Sequence, residues 1–152
     1  MVKNVFKKLG KKQKNNKGFS LVELIVVIAI MAVLVGVLAP QLIKYVEKSR
    51  EATDIQTCDN IATALKTYYA DEEVSATATT VTVTLSKTEL GTGADAAVKD
   101  AGLTKAKIKG TKWTNDTIKI EYNKADGTIT YTGDSPYYHS ENDQFKKGAK
   151  TK

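Results

Sequence analysis

Between Phe19 and Ala39 only Ser20 and Glu23 are conventionally polar, and that run decides what the rest of the chain can be. Coiled as an α-helix at about 1.5 Å per residue it is roughly 31 Å long, close to the hydrocarbon thickness of a bilayer. The eighteen residues ahead of Phe19 hold seven lysines (Lys3, Lys7, Lys8, Lys11, Lys12, Lys14, Lys17) and no acid. By the positive-inside bias the N-terminus is cytoplasmic, and the remainder of this single-pass chain faces outward.

Glu23 needs a reason to be in such a segment. A carboxylate at the centre of a bilayer is unfavourable by about 2.5 to 3.5 kcal/mol, less towards the edge, and intramembrane acids usually have a partner. The plain explanation is an acid that complements the helix dipole in the first turn or reaches the headgroups. The other starts from Gly18. A cut between Gly18 and Phe19 would create an α-amine, mostly cationic at neutral pH, one helical turn from Glu23. At about 4 Å and an effective dielectric near 20 the two charges attract by roughly 4 kcal/mol before desolvation. That pair can form within one chain or between neighbours.

The stretch Lys17-Gly18-Phe19-Ser20-Leu21-Val22-Glu23-Leu24, followed by an apolar helix and Pro40, resembles the processing and assembly signature of the type IV pilin superfamily. The resemblance covers about residues 16–69. It implies cleavage after Gly18 and N-methylation of Phe19 by a prepilin peptidase and methyltransferase, handling by an inner-membrane assembly platform, and pairing of Glu23 with the Phe19 amine of an adjacent subunit in a helical homo-oligomeric filament. It also implies a cytoplasmic-membrane precursor and a cell-surface pilus, serving adhesion or twitching motility. The lone Cys58 departs from the disulfide-closed heads of many Gram-negative major pilins. With the long leader, it points to a Gram-positive type of class III signal peptide.

The fold class that follows is α+β: a long N-terminal helix, transmembrane in its first half and amphipathic in its second, packed on a small antiparallel sheet head. Residues 1–18 are a cleaved basic leader, 19–41 the transmembrane and filament-core helix, and 42–70 its amphipathic half. Residues 71–136 form an α/β connector and sheet, and 137–152 a polar, flexible tail. Pro40 removes one amide donor and crowds the carbonyl of Gly36, which marks the 36–40 turn for a kink. Beyond it Ile55, Cys58, Ala62, Leu65 and Tyr69 recur at threes and fours on one face. Glu47, Arg50, Glu51 and Asp54 are read as populating the polar faces, with Glu47 offset by Arg50. Helical from Phe19 to Tyr69, the element would be about 75 Å long.

Val81, Val83 and Leu85 alternate with threonine as a strand, and residues 94–101 form a short connector helix. Ile108 and Trp113 suggest a strand. Ile118, Ile120 and Tyr122, then Asp126-Gly127, then Ile129 and Tyr131 read as a hairpin, giving a sheet of three or four strands.

Chemistry is sparse. The net charge of +6 belongs to the leader, because losing its seven lysines takes 23 basic side chains to 16 against 17 acidic ones. A single cysteine and a single histidine, His139, supply neither a redox pair nor a metal set. Cys58 is read as a small buried hydrophobe, and no catalytic constellation is visible. Asp126, Asp134, Glu141 and Asp143 match no calcium loop spacing. Lys99, Lys105, Lys107, Lys109 and Lys112 beside Trp113 would suit DNA, but a sheet edge defended by lysines explains them better. No cofactor is implied. A pseudopilin of a type II secretion or competence apparatus would share every N-terminal feature.

Overall fold

A computed structural model describes residues 18–71, 79–91 and 94–151. The leader lysines and most of the loop expected after residue 71 lie outside them. The chain divides into two units at Pro40.

In the first unit, helix α1 (Leu21–Asp71) starts directly after Ser20. Its apolar run includes a window of mean hydropathy 3.1, none of it buried. The large apolar side chains from Phe19 to Val46 are 42 to 85% exposed. Among the described residues no core takes them up, and by length and composition the segment is apolar enough to cross a membrane. α1 passes Gly36 and Pro40 as continuous helix.

In the second unit, the last turns of α1 meet a three-stranded antiparallel sheet of β1 (Thr80–Leu85), β2 (Ile118–Asn123) and β3 (Ile129–Thr132), with β2 central. The register sets Val83 opposite Ile120 and Ile120 opposite Tyr131, with Val81, Tyr122 and Ile129 in the next row. Period-two alternation turns these side chains one way and Thr82, Thr84, Lys119, Thr130 and Thr132 the other. The inner rows join Cys58, Ile61, Ala62 and Leu65 of α1 in one core. Each fully buried leucine or isoleucine there contributes about 1.5 to 3 kcal/mol. Two tyrosines finish the seam: Tyr131 donates to Asp59 Oδ1 at 3.0 Å and Tyr69 to Asp95 Oδ2 at 2.9 Å. Asp95 also caps α2 (Ala96–Asp100) by accepting from the Ala97 amide. Cys58 is wholly buried, and burial pushes its thiol well above the usual range, so it stays an inert apolar group.

Two expectations need correcting. The segment carrying Ile108 and Trp113 is not a strand; the amides of Lys109, Gly110 and Thr111 are bonded to α1 carboxylates instead of a neighbouring strand. The polar tail is not structureless either, since β4 (Tyr138–Glu141) and β5 (Gln144–Lys147) pair as a hairpin. Its turn is carried by Asn142 at φ 54°, a left-handed conformation that asparagine tolerates. Phe145 anchors it, with its ring 5.7 Å from that of Trp113 and 5.1 Å from that of Tyr131. His139 is a half-buried β4 residue whose Nδ1 lies 2.9 Å from the Gly148 carbonyl.

Candidate assembly site

The N-terminal site is built on the first turn of α1. Ser20 precedes the helix and its carbonyl accepts from the Leu24 amide at 3.1 Å, the position of a helix cap. Glu23 is the third helical residue, and its Oε2 accepts from the Ser20 amide at 2.9 Å. This is the acidic half of a capping box, legible in the sequence as Ser20-x-x-Glu23. Glu23 therefore has a structural role inside its own chain, and a carboxylate can accept further bonds through its second oxygen. Gly18 and Phe19 are exposed ahead of the helix, Phe19 at 85%. A Cβ on Gly18 would meet nothing within 4 Å. Packing does not demand glycine there, so any requirement for it comes from what handles the chain. Gly36 is equally open and lies 13 residues along the helix from Glu23, about 20 Å at 1.5 Å per residue.

A second group of residues was misplaced by the sequence reading. Glu47, Glu51 and Asp54 are buried, at 7, 0 and 1% exposure. The spacing of four, three and four that runs from Glu47 to Cys58 continues the apolar stripe backwards in acids. Polarity hid it; the period was there to be read. What permits the burial is a comb of donors from residues 109–113. Asp54 accepts from the amides of Lys109 and Gly110, both at 2.7 Å, and from Trp113 Nε1 at 2.9 Å. Glu47 accepts from the Thr111 amide and has Arg50 3.8 Å away. Glu51 Oε2 takes the Ser135 hydroxyl at 2.5 Å, while Oε1 has no partner. Three consecutive backbone amides thus end on helix carboxylates, which ties the connector to α1.

Gly110 is the point of closest approach. A Cβ there would lie 2.7 Å from Glu51 Cγ, 2.8 Å from Asp54 Oδ2 and 2.8 Å from Trp113 Nε1. Gly110→Ala should lower the unfolding free energy by about 1 to 3 kcal/mol, as overpacking does. Urea titration of the protein in detergent micelles checks it, and an unchanged midpoint would contradict the close approach.

Trp113, only 3% exposed and hydrogen-bonded to Asp54, is not available to stack on a base. Lys107 pairs with Glu89 at 3.3 Å. The basic cluster thereby loses its aromatic member. The acids considered for calcium are not brought together: Asp126 is held by Thr128, which draws its carboxyl below the usual range, and Glu141 is held by Lys146 with the same effect. Among the described residues no three ligating side chains are arranged to hold a metal ion.

A family model described as the prokaryotic N-terminal methylation motif matches residues 13–39. Over 80 residues the chain is 39% identical to a "Prepilin peptidase-dependent protein A" of Clostridium perfringens, covering 51% of this chain. It spans 56% of that relative's length, a little over half. No solved structure matches the chain.

Proposed function

We propose, from the premise that this chain carries a prepilin-type N-terminal motif, that it is a pilin: a subunit cleaved after Gly18, methylated on Phe19 and polymerised through α1 into a type IV pilus. The observation that carries the reading is the junction itself. An open glycine, an exposed aromatic residue and a carboxylate in the first helical turn open a helix whose apolar side chains as far as Val46 no other part of the described chain covers.

The physics of assembly has two stages. In the bilayer an apolar helix gains little by associating, because lipid is as apolar as its own side chains, so capture leans on the charge pair between Glu23 and a neighbour's new amine. Out of the bilayer the same side chains exclude water from one another, and the hydrophobic effect holds the fibre. The 36–40 turn is the part expected to open as subunits pack, since Pro40 brings no amide for the Gly36 carbonyl and Gly36 tolerates irregular backbone. No reacting group is needed for any of this; the work is mechanical.

The prepilin-type motif equally fits a pseudopilin that builds a short piston in the cell envelope. Immunogold labelling of intact cells with an antibody to residues 79–151 separates the two. Long labelled appendages are expected; label confined to the envelope would favour the piston and count against the pilus.

A further inference from the structure

We propose that Glu51 keeps its proton to a higher pH than an ordinary carboxyl does, and that its ionisation as the pH rises further destabilises the head. The case rests on who donates to whom. Ser135 Oγ accepts from the amides of Tyr137 at 3.1 Å and Tyr138 at 3.0 Å. With both lone pairs taken, its own proton goes to Glu51 Oε2 at 2.5 Å. Any proton on Glu51 therefore sits on Oε1, which is buried and has no partner in a fully buried residue. A bare anionic oxygen in that position is far more costly than a hydroxyl.

The surroundings agree from each side. On α1 itself Glu47 and Asp54 flank Glu51, and both are acceptors only, matched by amides, the Trp113 indole and Arg50. From the 109–113 connector the backbone of Gly110 is what packs against Glu51, and Lys109 and Lys112 are exposed. From the third side comes the Ser135 hydroxyl, beside Asp134, whose Oδ1 is also buried without a partner. No cation faces Glu51 from any of the three. Burial, followed by the charges of Glu47 and Asp54, raises the Glu51 carboxyl above its ordinary 4.5 despite the Ser135 bond.

The sign of the effect follows from linkage. A carboxyl whose folded pKa lies above its unfolded value binds its proton more tightly in the native state. Its stabilisation is complete below 4.5 and is lost as the pH rises through the folded pKa. Above that point a third negative charge stands beside Glu47 and Asp54, with one of its oxygens buried and unpartnered.

The test uses the full chain in detergent micelles, wild type and Glu51→Gln, from about pH 4 to pH 9, a range covering ordinary and raised carboxyls. The wild-type melting temperature should fall with rising pH in a window above 4.5, and the variant should lack that fall. Parallel melting curves would overturn the proposal. Should Glu51→Gln fail to fold, carbon NMR of the wild-type carboxyl decides alone: a midpoint above 4.5 supports the neutral acid, and one at or below it refutes it.

Discussion

Asp54→Ala should cost the head about 3 to 5 kcal/mol, the range found when one partner of a buried charged network is removed. Asp54 takes the Lys109 and Gly110 amides and the Trp113 indole, and alanine would orphan all three. Each buried donor left without an acceptor costs about 1 to 3 kcal/mol. Native domains are stable by only about 5 to 15 kcal/mol, and a head this small belongs near the lower figure. The variant should therefore be largely unfolded or proteolysed beyond the helix, with indole fluorescence reporting a wetted Trp113. Asp54→Asn keeps the shape but turns an amide group towards donors, so it should fall between wild type and alanine. A variant within about 0.5 kcal/mol of wild type, the ordinary range of a surface change, would mean that the amides of 109 and 110 find other partners.

Gly18→Ala tests the N-terminal junction with the opposite profile. Its Cβ would enter open space, so the stability change should stay within about 0.5 kcal/mol. Processing, however, should stop, leaving nearly all of the protein at precursor length with the 18-residue leader attached. A folded but uncleaved precursor is the expected product on immunoblots of membrane fractions. Normal processing would remove the reason for placing the cut after Gly18.

Much of the fold could be read from the residues because the signals were local. Alternation of Ile118, Ile120 and Tyr122, the Asp126-Gly127 turn and the resumption at Ile129 describe β2 and β3 without reference to the rest of the chain. The apolar period of Cys58, Ala62 and Leu65 likewise names the helix face that enters the core. What escaped was non-local. Glu47 and Asp54 look like a solvated face until three amides some sixty residues away are known to end on them, and Glu51 does until the Ser135 hydroxyl is. The same amides, spent on carboxylates, are why the Trp113 segment forms no strand. β4 and β5 carry mostly polar side chains, and they are tied down by the Phe145 ring against Trp113 and Tyr131 and by backbone bonds such as that from the Tyr131 amide to the Asn142 carbonyl, which no periodicity announces. At the N-terminus the junction residues were named from the sequence. The bond from the Ser20 amide to Glu23 was not, although its spacing was visible, because the acid had been considered for its charge and not for its reach.

That bond makes the cap separable from the assembly role proposed for Glu23. Glutamine at the third helical position can still cap Ser20, whereas alanine cannot; glutamine therefore removes the charge and leaves the helix start intact. Of the roughly 4 kcal/mol of gross attraction to a neighbouring amine, even a third surviving desolvation is about tenfold in subunit capture. Quantifying sheared surface fibres from cells making Glu23→Gln is the most direct measurement. The mature protein should begin at Phe19 as in wild type, yet fibre yield should fall at least about tenfold. Fibres at wild-type yield from the glutamine variant would contradict assembly through that carboxylate.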